Sequence, residues 1–152
     1  GVCTVDLDQT ISETYGESID HLIKNHGLEW FRSVERTVLE ELITDGNAEV
    51  ISVGGGSLLD DTFRRWVRAR VYLCTLTATP DVLLKRVALS STVRPLLMTD
   101  DSSNICTSTF HRLLEERQVA YLDSDCVIDT THLSTDAVVE HIAPLFLCLE
   151  AA

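Results

Sequence analysis

Glu49-Val50-Ile51-Ser52-Val53-Gly54-Gly55-Gly56-Ser57 is the stretch that decides the fold class. A short apolar run rich in β-branched residues breaks on three glycines, and an apolar-periodic segment over residues 58–68 follows at once, which reads as strand, tight turn, helix. Three more runs have the same character, at residues 2–7, 69–76 and 126–130. Helical patterns fill the intervals. Phe31, Val34, Val38 and Leu42 recur at spacings of three and four between positions 28 and 43, and Gly46 supplies a stop. Thr79-Pro80 reads as an N-cap and first-turn proline for a helix to about residue 88. Residues 109–117 form another, with Phe110, Leu113 and Leu114 inward, and residues 136–147 a last one that Pro144 should kink or end early. Strands alternating with helices predict an α/β parallel sheet covered on both faces, with ligand chemistry in the loops at the carboxyl ends of the strands.

The chain has 152 residues, 45% of them hydrophobic and 24% charged, enough for one folded domain over residues 1–152. No apolar run reaches the roughly 18 residues of a membrane helix, so no membrane partner is expected. Twelve basic residues stand against 24 acidic ones for a net charge of -12, which argues against nucleic acid as a partner. Ten of the twelve cations are arginine, the side chain whose planar fork grips carboxylates and phosphates at two points. Small anionic ligands fit that bias. Five dispersed cysteines without a Cys-x-x-Cys pair speak against a disulfide framework or zinc ribbon and for a reducing, cytoplasmic setting. The five histidines show no ligand spacing with them. The sequence opens on Gly1, straight into a strand, with neither a signal peptide nor a basic leader, as expected of a processed chain or a fragment. Residues 90–109, interrupted by Arg94-Pro95-Leu96-Leu97, form the longest loop and a candidate lid.

Asp6 and Asp8 end the first strand as Asp-Leu-Asp, and on an extended chain they share a face, one suited to a metal and the other to a hydroxyl; the plain alternative is a helix N-cap. Gly54, Gly55 and Gly56 leave backbone bare for a ligand to approach. Arg32 stands three residues before Glu35 on one helix, so that carboxylate can aim it, unless the two form only a surface ion pair. Arg94 precedes a proline in the long loop, and Arg117 ends a helix four residues before Tyr121.

Taken in order, Asp6-Leu7-Asp8, Phe31-Arg32-Ser33-Val34-Glu35, Gly54-Gly55-Gly56, Arg94-Pro95-Leu96-Leu97 and Arg117 to Tyr121 resemble the shikimate kinase family almost end to end. The resemblance implies ATP-dependent phosphorylation of the shikimate 3-hydroxyl, with Mg2+, in the pathway to aromatic amino acids. It implies shikimate on the glycine floor, its carboxylate taken by Arg32 and Arg117, Glu35 orienting Arg32, and Asp8 meeting the ring hydroxyls and the proton of the attacking one. Asp6 would touch the magnesium shell, Arg94 would move onto the phosphates, and Arg86 with the turn at residues 133–135, Thr135 included, would lie on the adenine side. Shikimate and ATP are the implied partners, together with fusion to, or association with, other enzymes of the pathway, in the cytoplasm or, for a plant or algal source, the plastid.

The family also carries a strand, a Gly-x-x-Gly-x-Gly-Lys-Ser/Thr phosphate loop and a helix ahead of the Asp-x-Asp motif, and no such run occurs among these 152 residues. The expected fold is therefore a three-layer, P-loop kinase-like parallel sheet of order 2-3-1-4-5 whose first, central strand and P-loop helix are missing. The chain is expected to be an incomplete form, itself inactive, of an active kinase. A non-catalytic shikimate-binding sensor derived from such a kinase is the alternative.

Overall fold

The computed structural model describes residues 2–89 and 107–150. Arg94 and nearly all of the candidate lid lie outside the described residues. Contacts divide the chain into two compact units, the first ending at Val71 and the second beginning at Tyr72.

In the first unit, β1 (Thr4–Asp6) and β2 (Val50–Ser52) pair in parallel, with Thr4 opposite Val50 and Asp6 opposite Ser52. Three helices connect them: α1 (Leu7–Tyr15), α2 (Ile19–His26) and α3 (Leu28–Asp45). The apolar stripe of α3 does what its spacing predicts. Phe31, Val34 and Leu39 are buried and Val38 and Leu42 pack beside them, joined in one core by Leu7, Ile11, Leu22, Phe63 and Val67. The stop at Gly46 is the left-handed residue (φ 65°) that a helix end favours. After β2, the chain turns through residues 54–60 before α4 (Asp61–Arg68) begins. That helix starts three residues later than its pattern suggests, because the Asp60 carboxylate accepts the Phe63 backbone N–H at 2.6 Å and fixes the N-cap there.

In the second unit, β3 (Cys74–Thr77) and β4 (Cys126–Asp129) form another parallel pair, with Cys74 opposite Cys126 and Thr77 opposite Asp129. Helices α5 (Pro80–Leu89), α6 (Thr107–Leu122) and α7 (Thr135–Glu150) belong to it. The Thr79 carbonyl accepts the Leu83 N–H at 3.0 Å, the first bond of α5, as the Thr-Pro signal predicts. Three expectations are corrected. The strand proposed from residue 69 starts only at Cys74, because the amides of Ala69, Arg70 and Val71 bond back to the Arg65 and Val67 carbonyls and close α4. Helix α6 extends well past residue 117, and α7 runs on through Pro144, so the loss of one backbone donor does not end it.

The pairings among the described residues are β1–β2 in the first unit and β3–β4 in the second, two separate parallel ladders. Among the described residues no helix is long and apolar enough to cross a membrane.

Candidate functional site

Chemistry in the first unit gathers where β1 and β2 end. Leu7 is already helical, so Asp6 and Asp8 do not share a face of an extended strand, and the geometric premise for pairing them fails. Asp6 is the N-cap of α1: its Oδ1 accepts the Gln9 N–H at 3.0 Å and its carbonyl accepts the Thr10 hydroxyl at 2.9 Å. Asp8 sits in the first helical turn, where a negative charge is favoured by the helix dipole.

Glu35 is the pivot. It lies on the apolar face of α3 at 2% exposure, where a carboxylate is costly unless each oxygen is paired. Both are. Oε2 takes the Arg32 Nη1–H, and Oε1 accepts the Ser57 hydroxyl at 2.7 Å. Arg32 keeps 27% of its side chain accessible. The pair is thus not a surface ion pair but a guanidinium fixed at its base by a buried acid.

The glycine turn lies against this pair. A methyl group on Gly56 would stand 2.6 Å from Arg32 Cζ and 2.8 Å from Nη1, so the guanidinium occupies the space that a side chain would need. A methyl group on Gly54 would stand 3.4 Å from Ser57 Oγ, 3.7 Å from Glu35 Oε1 and 4.0 Å from Asp8 Oδ1. Asp8, Arg32, Glu35, Gly54 and Gly56 therefore converge, although they are spread over residues 8–56. Gly55 follows in the same turn. The arrangement offers a fixed cation, a carboxylate acceptor and bare backbone within one small region.

Two participants escape sequence reasoning. Ser57 was only the end of the glycine turn, and its bond to Glu35 joins residues 22 apart. Arg64, 4% exposed, donates to the carbonyls of Leu58 and Leu59 at 3.0 and 3.4 Å and to Asp61 at 2.9 Å, closing the far side of the same turn. The sequence signal available for Glu35 was its place beside Val34 on the buried stripe.

In the second unit, Arg86 reaches across to the end of β4, donating to Thr130 Oγ1 at 2.8 Å and to the Thr130 carbonyl at 2.7 Å. The same carbonyl accepts the Leu133 N–H at 3.2 Å, so Arg86 braces the turn that leads to Thr135 at the start of α7. Asp129, before that turn, is held below the usual carboxylate range by the hydroxyl and N–H of Thr131. Arg117 lies on α6 with its Nε buried and lacking a hydrogen-bond partner among the described residues. No group of three or more His, Cys, Asp or Glu side chains that could hold a metal occurs among the described residues.

Comparison with known proteins bears on this geometry. The family model described as shikimate kinase matches residues 1–145. A shikimate kinase of Xanthomonas euvesicatoria is 35% identical over 152 residues, covering 99% of this chain and 79% of that protein. A shikimate kinase of Bradyrhizobium diazoefficiens is 33% identical over 136 residues, covering 90% of this chain. The chain spans only 63% of that relative's length. The crystal structure of shikimate kinase from Bacteroides thetaiotaomicron superposes with a TM-score of 0.80 at 26% identity, covering 98% of this chain and 84% of that one.

Proposed function

Because the chain belongs to the shikimate kinase family, we propose that its first unit binds shikimate for phosphorylation of the 3-hydroxyl by ATP. The observation that carries this reading is the Arg32 guanidinium, fixed by buried Glu35 over the glycine turn with Asp8 alongside. Arg32 takes the carboxylate of shikimate through charge-assisted hydrogen bonds worth about 1.5 to 3 kcal/mol each. Its charge is spent partly on Glu35, and what that costs in strength it returns in orientation, since a side chain already fixed loses little freedom on binding. Asp8 accepts the hydrogen bond of the 3-hydroxyl, holds the oxygen for attack and is the base at hand for its proton. Gly54, Gly55 and Gly56 form the floor. The family resemblance gives Arg117 the role of a second guanidinium for the carboxylate and gives Arg94 a role at the phosphates.

ATP supplies the phosphoryl group, normally with Mg2+ to neutralise its charge. The 152 residues do not fit the phosphates: they contain no Gly-x-x-Gly-x-Gly-Lys-Ser/Thr run. Asp6 caps α1 through Oδ1 and is proposed to meet the magnesium shell through water, since Mg2+ uses one or two carboxylates beside the phosphates and keeps several waters. Arg86 and Thr135, on either side of the Thr130 turn, are proposed for the adenine side. By themselves these residues should hold the acceptor and turn ATP over slowly or not at all.

Calorimetric titration of the chain with shikimate tests the binding proposal. Saturable 1:1 binding is expected, abolished in Arg32→Ala and weakened in Asp8→Asn; heats indistinguishable from buffer, or an unaffected Arg32→Ala, would reject it. A coupled ADP-release assay on the full-length protein separates kinase from binding module: shikimate-dependent turnover is expected, and its absence would reject the kinase.

A further inference from the structure

Cys74 opens β3 and Cys126 opens β4, and the two are direct register partners in a parallel pair. Partners in adjacent strands point to the same face, on backbones about 4.8 Å apart. Both cysteines are free thiols and half-buried. The site is built into a pinned strand entrance. The Leu73 carbonyl accepts the N–H groups of Asp125 and Cys126, at 2.9 and 3.2 Å, while the Asp125 carboxylate accepts the Leu73 N–H at 2.9 Å. Ser124 Oγ adds a bond to the Cys126 carbonyl at 3.0 Å. This cluster holds the two cysteine backbones side by side.

Burial pushes the Cys74 thiol up to about 11, and the charge and hydrogen bond of Cys126 add to the rise. A thiol that stays protonated at neutral pH is a slow nucleophile toward peroxides and disulfides, so Cys74 does not initiate oxidation of the pair. It remains open to an acceptor soft enough to displace both protons. No third ligand joins the two sulfurs among the described residues, which disfavours a four-coordinate ion such as Zn2+.

We propose that Cys74 and Cys126 form a two-thiol site for a soft, thiophilic acceptor with two sulfur positions to fill, of the class of monosubstituted trivalent arsenicals. The chemistry balances without an oxidant. R–As=O reacts with two R′–SH to give R–As(SR′)2 and one water: two As–S bonds form, both thiol protons leave on the former arsenic oxygen, and arsenic keeps its oxidation state. The product is neutral, as a half-buried position between strands requires. Bound there, the acceptor ties β3 to β4 covalently.

Phenylarsine oxide is the probe, followed by intact mass measurement in the presence of excess glutathione. A monothiol strips arsenic from single cysteines but not from a chelating pair. One phenylarsenic per chain should survive glutathione and be removed by a dithiol such as dimercaptopropanol. The adduct should be lost in Cys74→Ser and in Cys126→Ser. It should persist in the chain carrying Cys3→Ser, Cys106→Ser and Cys148→Ser together, where only the proposed pair remains; this last variant decides the matter if either single one fails to fold. An adduct that survives in Cys74→Ser, absence of any adduct in the triple variant, or recovery of a Cys74–Cys126 disulfide from glutathione buffer would each overturn the assignment.

Discussion

Replacing Gly56 by alanine probes the coupling between the glycine turn and the Arg32–Glu35 pair. The new methyl would collide first with Arg32 Nη2 and lie 2.6 Å from Cζ, whereas carbon atoms in contact stay about 3.5 Å apart, so the guanidinium must move by at least about 0.9 Å. Arg32 is not free to swing, because Nη1 is bonded to Glu35, whose carboxylate is 2% exposed and takes its other hydrogen bond from Ser57. Displacing the guanidinium weakens one charge-assisted bond and leaves a buried oxygen short of a donor, a cost of about 1.5 to 3 kcal/mol. For a chain of this size that lowers Tm by roughly 3 to 12 °C. If the guanidinium also meets shikimate, affinity falls by about 10- to 150-fold. Gly54→Ala is the internal control. Its methyl meets nothing nearer than 3.4 Å, and loss of a glycine stiffens the unfolded chain, so stability should be unchanged or rise by up to about 1 kcal/mol. Urea unfolding of Gly56→Ala, Arg32→Lys and the double variant completes the test. The lysine has no planar fork to collide with the methyl, so Gly56→Ala should cost at least about 1 kcal/mol less in that background. Strictly additive costs, or a Gly56→Ala protein as stable as Gly54→Ala, would refute the steric reasoning.

Arg86→Ala removes two hydrogen bonds from Thr130, itself 5% exposed, and should cost about 1 to 3 kcal/mol in urea unfolding, with hydrogen exchange rising at Leu133 before the rest of the second unit. Asp6→Ala deletes the α1 N-cap and should destabilise by about 0.5 to 2 kcal/mol, whereas Asp6→Asn, which keeps an acceptor, should lose much less; thermal melts of the two distinguish a cap from a purely ionic role. Cys74 carries an alkaline signature. Its folded value of about 11 lies above the ordinary thiol value of 9.0, so between the two the folded state holds a proton that the unfolded chain releases. The stabilising contribution is complete below pH 9 and is lost as pH rises toward 11, and iodoacetamide labelling of Cys74 should accelerate only in that range.

The parts of the fold legible in the sequence are those in which cause and effect lie close along the chain. The α3 stripe, the Gly46 stop, the Thr79-Pro80 start and the Arg32 to Glu35 spacing all act within a few residues, and each stands as read. Strand and helix limits fared worse, because a strand ends where its partner stops. Val2 and Leu7 are as apolar as Val5, but only Thr4 to Asp6 have partners in β2. Residues 69–71 look like strand and are spent closing α4. The same limit hides the site's supports. Ser57 binding Glu35 and Thr130 binding Arg86 join residues 22 and 44 apart, and nothing local in a serine or threonine announces a partner that the fold brings in.

The three glycines invite the reading that backbone freedom is what the turn requires, yet among the described residues the positive-φ glycines are Gly16, Gly27 and Gly46. Gly54 and Gly56 have conformations open to any residue, so their requirement must come from what lies beside them. At Gly56 that neighbour is the chain's own guanidinium, fixed from below by Glu35. The turn and the arginine therefore form one device: glycine permits the Arg32 guanidinium to lie close against the backbone, Glu35 keeps it there, and Ser57 ties Glu35 back to the turn. A side chain at position 56 would push the cation outward even where it left every strand and helix intact. On this reasoning, a variant that widens the turn without touching Arg32 should alter anion affinity while leaving far-UV circular dichroism unchanged.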